Sequence, residues 1–253
     1  MQQPPGSTPD AFGHLPGLRG KLTPAEQSTL RATPEFLARW DERARLRGLP
    51  ADWRLTNEQL EATRRALLGE HLGGRDLWIY GYGSLMWDPG FHFAEVRLAH
   101  LPGYQRRFTY WTRLARGTPE RPALMLTLEQ VAGDCRCSGL AFRIAGERVD
   151  TESGMLWRRE MLRGGYCPAL LPITTPQGPL TALVFACNRG HADYAGEMPL
   201  DETAAIIAAA AGVIGSNREY LEQMARQLAA LQIADGYVEQ LLQRVRSVCG
   251  EAV

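Results

Sequence analysis

From Trp78 onward the chain is written in short runs of strand-forming residues cut by Gly, Pro and Asp, and this limits its fold more than any other feature. The runs are LWIYGYGSLMW, EVRLAHLPGYQRRFTYW, PALMLTLEQ, CRCSGLAFRI, ALLPITT and LTALVFACN. Their spacing predicts a β-rich barrel or curled sheet. One helix interrupts them: Gly146 to Arg163 carries Met155, Leu156 and Met161 and is stopped by Gly164-Gly165. Past His191 the pattern turns helical over Leu200 to about Ala211, Asn217 to about Leu231 and Asp235 to about Val248. The fold class is therefore α+β, strands in a barrel or curled sheet with helices around them.

Ahead of the strands the signals are of another kind. Thr23 before Pro24 and Glu26, Thr33 before Pro34 and Glu35, and Thr56 with Gln59 each read as a helix start. Leu60, Leu67 and Leu68 make an apolar stripe on the last helix, with Arg64 and Arg65 expected outside it. Residues 1–20 are rich in Pro, Gly and polar types and read as a mobile tail. The expected division is a tail over 1–20, a helical extension over 21–75, and a strand-rich main unit over 76–253. A chain of 253 residues, 45% hydrophobic, has enough material for that core.

Charge excludes some functions. Lys plus Arg equals Asp plus Glu at 28 each, so no whole-molecule field attracts nucleic acid or anionic lipid. No apolar run reaches the ~18 residues of a transmembrane helix, and the start, MQQPPGSTPDAFGHLPG, lacks the apolar core of a signal peptide. The five Cys are scattered, and Cys135 and Cys137 have the wrong spacing for a CxxC pair, so they read as free thiols. The expected location is the cytoplasm, with neither nucleic acid nor membrane as partner. Nothing in the sequence sets an oligomeric state.

Three segments can carry chemistry. Tyr80-Gly81-Tyr82-Gly83-Ser84-Leu85, at the end of a strand, is either a plain Gly-rich turn or a backbone nest whose N–H groups hold an anion or oxyanion. It is neither a P-loop nor a dinucleotide fingerprint. In Arg158-Arg159-Glu160-Met161-Leu162-Arg163-Gly164-Gly165-Tyr166, a carboxylate sits near the end of a helix before two glycines. Desolvation in a cleft would raise its pKa into the range of a general base, whereas an arbitrary Glu beside Arg is a solvated surface residue. In AAAAGVIGSNREYL, Asn217 is a plausible cap and Tyr220 can supply a hydroxyl to a pocket, although a plain helix-turn-helix explains the pattern equally well. His14, His71, His92, His100 and His191 show no metal-ligand spacing, so no metal site is expected, and no Gly-x-Ser-x-Gly elbow is present.

Taken in order, WIYGYGSLMWDPGF, LPGYQRRF, RGTPERP, CSGLAFRI, WRREMLRGGY, HADYAGEMPL and AAAAGVIGSNREYL resemble the ChaC-like γ-glutamylcyclotransferases that act on glutathione. The resemblance runs from about Trp78 to about Leu221 and on through the terminal helix; residues before about Asp76 lie outside it. It implies a small closed or nearly closed β-barrel surrounded by helices, and a lyase that releases 5-oxoproline and cysteinylglycine from glutathione without a cofactor. It places Ile79, Tyr80, Gly81, Tyr82, Gly83, Ser84 and Leu85 at the substrate and makes Glu160 the catalytic residue. In a γ-glutamyl compound the free α-amine can close on its own γ-carbonyl, so the substrate supplies the nucleophile and the enzyme has only to move its proton.

Overall fold

The structure, a computed structural model, describes residues 10–251. Two of the expected leader helices form for the reasons read in their caps. Thr33 accepts the Phe36 N–H at 3.3 Å, and Pro34 fits the first helical position of α1 (Pro34–Leu46). Thr56 and Gln59 exchange both bonds of a capping box to open α2 (Asn57–Leu68). The start at Thr23 opens only a 3-10 turn, Ala25–Gln27. Ser28 and Thr29 follow it, and neither favours a helix interior.

Arg64 departs from expectation: it is buried, not outside the stripe. Its guanidinium binds Glu61, Asp150 and the Ser153 hydroxyl, so α2 is fastened to the helix below it by ionic contacts as well as by leucine. Of the tail expected over 1–20, residues 1–9 lie outside the described residues. From Asp10 the chain packs on the barrel, with the Val96 N–H donating to Ala11 O at 2.9 Å and Leu18 buried.

The strands are β1 (Leu77–Gly81), β2 (Glu95–Pro102), β3 (Tyr104–Thr112), β4 (Ala123–Gln130), β5 (Arg136–Ile144), β6 (Tyr166–Thr175) and β7 (Gly178–Cys187). Five of them close a barrel in the order β1-β5-β2-β6-β7, and the closing pair, β1 with β7, is parallel with Ile79 opposite Leu183. The run EVRLAHLPGYQRRFTYW is two strands rather than one. It breaks at Gly103, whose φ of +75° suits glycine, and β3 leaves the barrel to pair with β4. Strand β6 meets β2 at a single pair, His100 opposite Thr174, and that nearly free edge tolerates Pro168 and Pro172.

Helix α3 (Val149–Glu160) follows β5, and α4 (Leu200–Ala209), α5 (Asn217–Ala230) and α6 (Gly236–Val248) follow β7. A short hairpin, β8 (Ala211–Gly212) with β9 (Gly215–Ser216), joins α4 to α5. The core runs from Ile79, Phe142 and Phe185 of the barrel through Leu156 and Trp157 of α3 to Leu221 and Met224 of α5, and the leader's Leu22, Leu60 and Leu68 belong to it. Among the described residues, no helix is long and apolar enough to cross a membrane.

An ionic latch adds to this packing. Arg31 of the leader grips Glu152 of α3 with both ends of its guanidinium, at 2.8 and 3.0 Å, and donates to Gly90 O. His92 lies between Glu152 and the leader's Glu26. The bond to Glu152 holds the His92 imidazole above its ordinary 6.5, with Glu26 adding to it against partial burial. Burial raises Glu152, but its bonds to Arg31 and His92 outweigh this and leave it below its ordinary value.

The signs follow by linkage. The His92 contribution is complete below its unfolded pKa and is lost as pH rises through its folded one; the Glu152 contribution is complete above its unfolded pKa and is lost as pH falls through its folded one. His92 is one-third exposed, so solvent screening keeps its part to about 1 kcal/mol or less. Thermal melting should therefore fall by about 2–4 °C between roughly pH 6 and pH 8.5 through this group, and His92→Asn should flatten that part of the slope. An unchanged slope in the variant would show that His92 is not linked to leader docking.

Candidate active site

Glu160 is the last residue of α3. Its side chain is only 14% exposed, and Arg159, with Nε 3.1 Å from Glu160 Oε1, is its one ion-pair partner among the described residues. Burial pushes the Glu160 carboxyl above its ordinary 4.5, and Arg159 only partly offsets this. The helix C-terminus, which disfavours negative charge, acts in the same direction. Arg159 is already engaged elsewhere: it donates to Asp88 O at 2.8 Å and to the Ser84 hydroxyl at 2.9 Å. One guanidinium thus spaces the carboxylate from the glycine-rich loop.

That loop leaves β1 after Gly81 and turns through Ser84–Met86. It is held from three sides. Arg106 of β3, itself buried, donates to Tyr82 O at 2.6 Å, to Ser138 O and to Asp235, which caps α6. Gln227 of α5 donates to Met86 O at 2.7 Å. Arg159 holds the Ser84 side chain. So fastened, the N–H groups of Gly83, Ser84 and Leu85 have no backbone acceptor among the described residues. The Ser84 N–H is directed to the Tyr220 hydroxyl, which also lies where a Cβ on Gly83 would point.

Tyr82, Gly83, Ser84, Leu85, Arg159, Glu160, Tyr166 and Tyr220 line one cavity of about 220 Å³. The structure therefore brings Glu160 together with the second half of the glycine-rich segment. Ile79, Tyr80 and Gly81 are not on the cavity: they lie in β1, where Ile79 is core and the Tyr80 hydroxyl donates to Cys137 O at 2.7 Å. Strand pairing consumes their backbone, and only after Gly81 does the chain turn free of it. Burial raises Tyr82 and Tyr166 well above the usual phenol range and pushes Tyr220 up to about 12, so all three stay protonated and can donate. Among the described residues no three His, Cys, Asp or Glu side chains gather as they would around a metal ion.

Sequence reasoning reached Tyr220 but misread its neighbour. Asn217 does not cap α5; Ser216 does, in a capping box with Glu219. Asn217 is fully buried and clasps Leu124 of β4 by both its N–H and its O, at 2.9 and 2.8 Å, which pins α5 so that Tyr220 faces the loop. The S-x-x-E spacing of Ser216 and Glu219 carried the signal for the true cap. Arg159 and Tyr166 lie in the segment that carries Glu160 but were given no role of their own, and no local pattern marks Phe185. Nor does one mark Phe36, Trp40 and Trp53 of the leader, which also line the cavity.

The two glycines after Glu160 serve different needs. Gly164 has a φ of +74°, and at Gly165 a Cβ would overlap the Tyr110 ring and hydroxyl. Tyr110 in turn bonds His191 Nδ1 at 2.9 Å, so it has little freedom to yield.

A family model described as ChaC-like protein matches residues 77–248. The chain is 31% identical over 220 residues to the glutathione-specific γ-glutamylcyclotransferase of Escherichia coli K12, covering 87% of this chain and 94% of that protein. It is 35% identical to glutathione-specific γ-glutamylcyclotransferase 1 of Rattus norvegicus, over 68% of this chain and 79% of that one. A crystal structure of a γ-glutamyl cyclotransferase specific to glutathione from yeast shares the fold, with a TM-score of 0.63 at 24% identity over 68% of this chain and 96% of the other.

Gly165→Ala should cost about 1–3 kcal/mol through overpacking against Tyr110, read as a lower urea midpoint at unchanged slope. A wild-type midpoint would mean that the Tyr110 contact is not a constraint on this loop.

Proposed function

The chain belongs to the ChaC-like family, and from that premise we propose that it cyclises the γ-glutamyl group of glutathione, with Glu160 as the residue that carries the proton. It is a γ-glutamylcyclotransferase, as its curated relatives are. What supports the assignment of Glu160 is its placement: a carboxylate with a raised pKa in the same cavity as the loop N–H groups and three protonated tyrosines.

Glutathione enters with its α-amine protonated. Glu160 takes one proton, and the freed amine attacks the γ-carbonyl carbon four bonds along its own chain, a closure favoured by proximity alone once the chain is folded back. The carbonyl oxygen becomes an oxyanion facing the N–H groups of Gly83 and Leu85, since the Ser84 N–H is directed to the Tyr220 hydroxyl. Donors fixed before the reaction need no reorganisation as charge develops, and losing one costs roughly 10²- to 10³-fold. Glu160 returns its proton to the amide nitrogen as the C–N bond breaks. The attacking nitrogen loses a second proton and becomes the lactam nitrogen of 5-oxoproline; cysteinylglycine leaves and takes up that proton in water.

A raised pKa suits both half-steps, because it narrows the gap between base and amine and leaves the acid form competent to give its proton back. Arg159 opposes the rise that burial causes in the Glu160 pKa. The Tyr82 hydroxyl donates to Phe185 O at 3.0 Å, so it orders the cavity wall, whereas Tyr220 is directed at the loop itself.

Purified protein given reduced glutathione should release 5-oxoproline and cysteinylglycine in equal amounts by mass spectrometry. Turnover of γ-glutamylalanine with none of glutathione would move the substrate to other γ-glutamyl compounds, and silence on both would sink the enzyme reading. Glu160→Gln should lower kcat by at least roughly 10²- to 10⁴-fold with the melting temperature retained. The wild-type acid limb of kcat/KM should lie above 4.5, since activity needs the ionised form and burial raises its pKa. Near-normal turnover in the glutamine variant would remove Glu160 from the mechanism.

A further inference from the structure

The leader reaches the catalytic loop directly. Between Glu160 and Gly164, Met161 is buried, Leu162 O accepts the Leu55 N–H at 2.9 Å, and Arg163 Nη1 donates to Trp53 O at 3.0 Å while its other nitrogens hold Asp193. Phe36, Trp40 and Trp53 form a small core with Leu114 of the β3–β4 connection, and Leu30, Leu162 and Ile214 pack against it. This core is separate from the one inside the barrel, and part of its surface is cavity wall. Leu30, Phe36, Trp40 and Trp53 line the cavity that holds Glu160, and Leu49 lines an adjoining space of about 210 Å³ that also includes Glu160.

The two sides of this cavity differ in chemistry. The loop N–H groups, the tyrosine hydroxyls, Arg159 and Glu160 all come from residues after Leu77. The leader's contribution is apolar, and the Trp53 indole N–H is spent on Asp41 at 3.0 Å. A γ-glutamyl group carries an ammonium and a carboxylate, and neither can be desolvated against carbon without a large cost. What rests on the leader wall is therefore the part of the substrate beyond the scissile amide.

We propose that residues 30–53 of the leader build the subsite for the amine half of the substrate and select γ-glutamyl compounds whose amine half bears an apolar or thiol side chain. This rests on the cyclotransferase reading and adds to it a source of specificity outside residues 77–248. It also gives the leader a physical reason to be latched by Arg31 and His92, since a wall that swings away is no wall.

The test uses the two products as separate probes of the two halves. In full-length wild-type protein, cysteinylglycine and 5-oxoproline are titrated as inhibitors of glutathione turnover, then again in Trp40→Ala and in Leu30→Trp. Leu30 is half-buried, so the larger side chain fills the cavity without emptying the core. Loss or obstruction of an apolar contact should raise the KM for glutathione and the inhibition constant of cysteinylglycine by about tenfold in both variants. The 5-oxoproline constant should move much less, and the change should appear in KM ahead of kcat.

Equal shifts for both products, or none for cysteinylglycine, overturn the inference, as does a wild-type protein that cysteinylglycine does not inhibit. Agreement between a truncating and a filling variant excludes simple misfolding as the cause. A wild-type protein that releases no 5-oxoproline from glutathione, read before any variant is made, overturns the cyclotransferase reading and this inference with it.

Discussion

A carboxylate kept in a cavity lined mostly by carbon is costly to ionise, and the rest of the site is arranged around that cost. Glu160 ends a helix whose dipole opposes its charge, and Arg159, its one ion-pair partner among the described residues, divides its donors among two backbone carbonyls and a serine. The balance leaves the pKa raised, with burial outweighing Arg159.

The same economy governs the loop opposite. Exposed N–H groups are useful to a developing oxyanion only if the backbone that carries them cannot move, and here each fastening comes from a different element. Arg106 arrives from β3, Arg159 from α3, Gln227 from α5, and Asn217 sets the angle of α5 through β4. Arg106 and Asn217 are buried with their polar atoms satisfied, which makes them rigid connections. The barrel supplies the fixed frame: β1, which leads into the loop, is paired on both sides, and β7 closes it.

The leader is held by two physically different contacts, and each addresses a different part of the site. Leu22, Leu60 and Leu68 join the barrel core, while Phe36, Trp40 and Trp53 make a smaller core over the cavity. The first secures the leader to the fold, and the second forms part of the wall of the cavity that holds Glu160. Between them, Arg31 and His92 converge on Glu152, which lies on the same helix as Glu160. Docking of the leader and placement of Glu160 are thereby tied to one element.

Local signals were legible in the sequence because the forces behind them act within a few residues. Thr33, Thr56 with Gln59, and the S-x-x-E of Ser216 and Glu219 satisfy helix N–H groups three residues away, and the strand runs carry their turns with them. The ordered motifs grouped Glu160 with Ile79 to Leu85, of which the fold brings Tyr82 to Leu85 to the Glu160 cavity. The signals failed where a side chain answers to a distant partner: Asn217 has the chemistry of a cap but spends it on Leu124, and Arg64 looks solvent-facing but finds Asp150 and Ser153. By itself, then, the sequence determined the α+β class and the helix starts at Thr33 and Thr56, and it singled out Glu160 as the candidate carboxylate. Only the tertiary structure decided that the cavity begins at Tyr82, that Arg159 stands between the loop and Glu160, and that Trp40 and Trp53 wall it. Those facts depend on packing between segments far apart in the chain, and no short-range preference encodes where such segments meet.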